Sequence, residues 1–117
     1  MEAEILEKYK KAGEIAKTAL NYGKKMVEPG RKLIEIAEAI ETKITELGGI
    51  PAWPVNISRN EIAAHYSPTQ DDDTIIQEND LVKLDVGVAV DGYLADTAST
   101  VALSEEDKIL VEAVEKA

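Results

Sequence analysis

The sequence predicts an α+β fold: two N-terminal helices, an antiparallel hairpin, and a third helix at the C-terminal end. Three observations carry that reading. Apolar residues recur at helical spacing from Glu4 to about Val27 and again from about Lys32 to Leu47. Two runs of alternating small and β-branched residues flank Asp91-Gly92, between Leu81 and Leu103. Ser104-Glu105-Glu106-Asp107 then has the form of a capping box that opens a helix from Glu105 onward.

In the first helix Ile5, Leu6, Tyr9, Ala12, Ile15, Ala16, Ala19 and Leu20 share one face, and Glu28-Pro29-Gly30 stops it. In the second, Leu33, Ile36, Ala37, Ile40, Ile44 and Leu47 point inward, and Gly48-Gly49 ends it. The Lys and Glu residues on the outer faces serve solvation and weak helix pairing. From Ile50 to Ile57 the chain carries Pro51 and Pro54, which lack a ladder donor and confine it to an extended edge or a loop. Asn60 to Pro68 leads to an acidic turn, Thr69 to Asp73. A short strand at Thr74–Ile76 and a turn at Glu78-Asn79-Asp80 precede the hairpin.

The hairpin is the most informative stretch. Asp-Gly between two such runs favours a two-residue type I′ turn, which pairs Val90 with Tyr93, Ala89 with Leu94, Gly87 with Asp96 and Asp85 with Ala98. Leu84, Val86, Val88 and Val90, with Tyr93, Ala95 and Val101, then face the core. Lys83, Asp85, Gly87 and Ala89, with Leu94, Asp96, Ala98 and Thr100, face the other way, and Gly87 is expected to clear space for Asp96. Asp85 and Asp96 become diagonal neighbours, roughly 7–8 Å apart at the backbone, close enough to hold one cation or a pair between them. The same two acids equally suit the solvated face of an antiparallel sheet.

Composition bounds the chemistry. A chain of 117 residues, 44% hydrophobic, is enough for one modest domain, and no run reaches the ~18–20 apolar residues of a membrane span. The acidic start, Met1-Glu2-Ala3-Glu4, is unlike a secretory signal, so the expected location is cytoplasmic with no membrane partner. A net charge of −10 argues against nucleic acid and suits cations. With no cysteine there is no disulfide, thiolate zinc site or cysteine nucleophile. Any metal must take oxygen or imidazole ligands, which with a single histidine, His65, favours Mn²⁺, Fe²⁺, Co²⁺ or a mixed-ligand Zn²⁺. Abundant Lys, Glu and Ile, no Cys and two Met lean towards a heat-adapted protein. The apolar pattern of Ile109, Leu110, Val111 and Val114 reaches Ala117 without a stop signal, so residues 1–117 are expected to form a single incomplete domain, continued or completed by further polypeptide.

Ile62-Ala63-Ala64-His65-Tyr66-Ser67-Pro68, Leu84-Asp85-Val86-Gly87, Asp91-Gly92-Tyr93 and Ala95-Asp96-Thr97-Ala98 together resemble the N-terminal part of the methionine aminopeptidases, in their type II, archaeal-like form. Upstream, Val27-Glu28-Pro29-Gly30, Leu33 to Ala37 and Pro51 to Ser58 fall in the same order, so the resemblance covers nearly the whole chain. It implies the N-terminal portion of a pita-bread fold, with a curved, mostly antiparallel sheet, and removal of the initiator methionine from the N-terminus of nascent proteins. Two divalent ions (Co, Mn, Fe or Zn) are implied, with Asp85 a bidentate ligand of one and Asp96 bridging both. His65 is implied to contact the scissile peptide without ligating metal; read alone, it is a structural hydrogen-bonder. Trp53 stands where the family has an aromatic residue, typically Phe, against the methionine side chain; read alone, it is equally a core anchor pinned by Pro51 and Pro54. The family's other ligands, a His and two Glu, belong to a second half absent from this chain, so the isolated chain is expected to be inactive. Two alternatives remain open: a non-catalytic protein-binding module of the same fold, and a prolidase-like metallopeptidase. The second typically has an Arg soon after the second aspartate, where this chain has Thr97-Ala98-Ser99-Thr100.

Overall fold

A computed structural model of the chain describes residues 2–59, 74–104 and 108–109. Helix α1, Glu2–Lys24, and helix α2, Leu33–Glu46, form where the apolar periodicity predicts them. Helix α2 closes with three backbone bonds, Leu47 N to Lys43 O at 3.0 Å, Gly48 N to Thr45 O at 3.1 Å and Gly49 N to Ile44 O at 3.0 Å. Gly48 supplies the left-handed residue that this closure needs, at φ +95°. Among the described residues four strands follow: β1, Ile50–Pro51; β2, Asn56–Arg59; β3, Leu81–Val90; and β4, Tyr93–Ala102. All pair antiparallel on β3, with β1 and β2 along one of its edges and β4 along the other.

The hairpin register agrees with the sequence at every expected pair: Val90 with Tyr93, Ala89 with Leu94, Gly87 with Asp96 and Asp85 with Ala98. Asp91 (φ 50°) and Gly92 (φ 85°) are both left-handed, as a type I′ turn requires. One face of β3 is closed by the helices. Val82, Leu84, Val86, Val88 and Val90 join Ala12, Ile15, Ala16 and Ala19 of α1 and Leu33, Ile36, Ile40 and Ile44 of α2 in one apolar core, and Ala95 and Val101 of β4 pack against it. The tip of the hairpin is tied to α1 by an edge-on contact between Tyr9 and Tyr93, centroids 5.0 Å apart, and by Lys8 lying 3.6 Å from the Asp91 carboxylate.

The structure corrects several details. Leu6 and Tyr9 share the predicted helix face yet are 68% and 49% exposed, because the buried part of α1 begins at Ala12. Leu47 lies past the last turn of α2 and is exposed as well. Thr74–Ile76 forms no sheet strand. A single bridge joins Ile75 to Lys32, with Gly30 N donating to Ile76 O at 2.8 Å and Ile76 N to Arg31 O at 2.8 Å, so this segment braces the α1–α2 connection. Pro51 lies in β1 while Pro54 lies between strands. The predicted third helix lies outside the described residues except for Lys108 and Ile109, which are helical, with Lys108 N donating to Ser104 O at 2.9 Å.

Candidate metal site

The face of the sheet turned away from the helices is built in cross-strand rows. Reading along β3, Lys83 lies between Ser58 and Thr100, Asp85 between Asn56 and Ala98, Gly87 beside Asp96, and Ala89 between Ile50 and Leu94. The unbroken register places Asp85 and Asp96 on this one face as diagonal neighbours, Asp85 half-buried and Asp96 exposed. The row nearest the hairpin tip is apolar and the row farthest from it is polar.

Trp53 also belongs to this face. Ala52 N donates to Gly87 O at 2.9 Å, and the six-membered ring of the Trp53 indole lies over Gly87, where Cζ2, Cε2 and Cη2 occupy the space a Cβ would need. The room that Gly87 was expected to leave for Asp96 is therefore taken by the indole. The Trp53 ring lies on the carboxylate side of the sheet, outside the helix-covered core.

Glu41 of α2 helps hold this arrangement: its Oε2 accepts from Val55 N at 3.2 Å, fixing the chain between Pro54 and the start of β2. Sequence reasoning assigned the helix acids to solvation, and nothing local marks Glu41 as different. Asn56 was also missed. Its one signal is compositional, because asparagine is uncommon in strands and here lies between Val55 and Ile57 in a β-branched stretch. His65 lies outside the described residues.

The donors present suit a hard divalent cation. Two carboxylates project to one side, Asn56 Oδ1 is buried and accepts no hydrogen bond among the described residues, and Asp85 Oδ1 in the adjoining register position is buried too. A buried carboxamide oxygen of this kind calls for a donor or a cation. Among the described residues no three His, Cys, Asp or Glu side chains gather into a cation-binding group, so the two aspartates form part of a site at most.

Comparison with known proteins bears on this geometry. Residues 7–117 match the family described as Metallopeptidase family M24. A methionine aminopeptidase of Methanocaldococcus jannaschii is 53% identical over 117 residues, which cover 100% of this chain and 40% of that protein. The chain thus spans about two fifths of the length of the curated relatives it matches. A crystal structure of a methionine aminopeptidase from Thermotoga maritima superposes with a TM-score of 0.86 at 28% identity, covering 99% of this chain and 50% of that one. The prolidase of Pyrococcus furiosus superposes with a TM-score of 0.80 at 25% identity, over 97% of this chain and 34% of that one.

Proposed function

This chain belongs to metallopeptidase family M24, and on that premise we propose that it is the N-terminal half of the catalytic domain of a cytoplasmic methionine aminopeptidase. The observation that carries the proposal is the pair Asp85 and Asp96 on one face of the β3–β4 hairpin, with the Trp53 ring over the glycine between them. Asp85 and Asp96 would be this chain's share of the residues that hold the divalent ions. The cation pair supplies Lewis acidity, which makes water nucleophilic near neutral pH and polarises a scissile carbonyl.

The chain's own residues do the rest. Trp53 offers an aromatic surface to a thioether, an interaction worth about 0.3–1.5 kcal/mol, which favours methionine over polar side chains at the peptide's N-terminus. His65 is assigned to the substrate's scissile peptide, and the remaining ligands, one His and two Glu, to the other part of the complete protein. The methionine reading is preferred to Xaa-Pro cleavage because the likeness to the methionine aminopeptidase of M. jannaschii stands at 53% against 25% for the P. furiosus prolidase.

Asp96→Asn in the complete enzyme keeps the side chain's shape and removes one of the charges that would hold the ions. The expected result is turnover of a Met-Ala-Ser peptide falling by about 10³-fold or more, equivalent to a loss of about 4 kcal/mol of transition-state stabilisation, with a melting curve close to wild type. Wild-type turnover and metal content in that variant would refute its role as a ligand. His65→Ala is expected to lower turnover while both metals stay bound; metal loss measured by elemental analysis would make His65 a ligand instead.

A further inference from the structure

We propose that Asn56 is a positioning residue for Asp85: its carboxamide donates a hydrogen bond to the Asp85 carboxylate and fixes the rotation at which that carboxylate meets a cation. The inference rests on the metal reading of this face and adds to it a residue on a different strand.

Asn56 and Asp85 are direct cross-strand partners on β2 and β3, with both side chains on the face turned away from the core. Side chains so paired have Cβ atoms ~4.5–5.5 Å apart, within reach of one hydrogen bond between two short polar groups. Ala98, the partner of Asp85 on the opposite edge, has no polar side-chain atom, so among its strand partners only Asn56 can orient the carboxylate from the side. Asn56 Oδ1 is buried and, among the described residues, accepts no hydrogen bond. A 180° turn of the carboxamide about χ2 exchanges Oδ1 for Nδ2, so that the buried end becomes a donor. A carboxylate can accept several hydrogen bonds, so a further donor is accommodated whatever else Asp85 engages.

The surroundings keep Asn56 in place for this role. Glu41 Oε2 accepts from Val55 N at 3.2 Å immediately before it, and Ile57 immediately after it is fully buried opposite Leu84. An asparagine anchored on both sides, with its amide oxygen buried, is poorly accounted for by strand formation alone, where β-branched residues are favoured. Orienting an acidic ligand does account for it, since ligating carboxylates depend on neighbouring hydrogen bonds for their geometry.

The test is made on the complete enzyme, titrated with Mn²⁺ by calorimetry and examined as its Co²⁺ form by visible spectroscopy. Asn56→Leu is expected to weaken Mn²⁺ binding about 10- to 100-fold and to shift the Co²⁺ d–d bands, with KM for a Met-Ala-Ser peptide within about twofold of wild type. Should leucine prevent folding, Asn56→Ala carries the same expectation, and Asn56→Ser, whose hydroxyl can still donate, should recover part of the affinity that Ala loses. Wild-type Mn²⁺ affinity and unchanged bands in the Leu or Ala variant overturn the proposal. Asp85→Asn, run in parallel, separates the two levels of inference. If it too binds Mn²⁺ as wild type does, the metal reading of the face has failed; if it alone loses affinity, only the role of Asn56 has.

Discussion

At Gly87 the site depends on an absent side chain. The Trp53 ring occupies the place of its missing Cβ, and Ala52 N holds the two strands together alongside, so Gly87→Ala forces the indole off the sheet. Overpacking costs about 1–3 kcal/mol in a closed core; because Trp53 is only half-buried and can move, about 1 kcal/mol of stability is expected here. If Trp53 lines the methionine pocket as proposed, the displaced ring changes that pocket, and kcat/KM for methionyl peptides should fall about tenfold, equivalent to about 1.4 kcal/mol. Trp53 is the sole tryptophan of these 117 residues, so the difference in tryptophan emission between the Gly87→Ala and wild-type enzymes reports the displacement. An unchanged spectrum together with unchanged kcat/KM would show that the ring does not depend on Gly87. Asp85 and Asp96 are legible in the sequence because two-residue alternation and one Asp-Gly turn decide their face, which is local information. Nothing local to Trp53 or Asn56 says that either meets β3, which lies some 30 residues further along the chain.

Between elements, the β3–β4 hairpin carries the site, and its turn sets the register of both strands. Gly92 sits at φ +85°, a conformation that costs an L-residue about 1–2 kcal/mol and more when the side chain is β-branched. Gly92→Val is therefore expected to destabilise the fold by about 2 kcal/mol, measured as a lower urea midpoint with an unchanged m-value. A loss below about 0.5 kcal/mol would mean that the turn does not govern the pairing. This hairpin and the two helices were readable because turn chemistry and periodicity reside within each segment. Strand β2 was not, because Asn56–Arg59 is a strand by virtue of pairing with Val82 to Asp85. Thr74–Ile76 shows the converse: its strand-like composition was legible, but its partner is the α1–α2 connection and not the sheet. Periodicity likewise gave the face of α1 that carries Leu6 and Tyr9, while the extent of the core beneath it left both exposed.

Across the whole molecule, the ion pair between Arg59 and Asp80 joins parts that no single element connects. Arg59 ends β2, Asp80 closes the turn before β3, and Leu103, just beyond β4, donates its N–H to Asp80 O at 3.0 Å. The Asp80 side chain is 6% exposed; it accepts from Arg59 Nε at 2.6 Å and Nη2 at 3.2 Å, and its Oδ2 also accepts from Gln77 N at 2.8 Å. Replacing a buried pair by apolar groups is often neutral, whereas removing one partner leaves a charge stranded at a cost of about 3–5 kcal/mol. Arg59 retains some solvent contact, so Arg59→Met is expected to fall at the lower end, about 3 kcal/mol by chemical denaturation. Asp80→Asn keeps an acceptor for Gln77 N and removes the charge, so the double variant should be more stable than Arg59→Met alone, by about 1 kcal/mol or more. Additive losses in that cycle would show that the contact carries no coupling, and that the ends of β2 and β4 are held by backbone pairing alone. Coupling would instead make Arg59–Asp80 the fastening at the polar end of the site face, opposite the hairpin tip that Lys8 and Tyr9 bind to α1. The rows that carry Asp85 and Asp96 would then be held at both ends by contacts that leave the carboxylates themselves uninvolved.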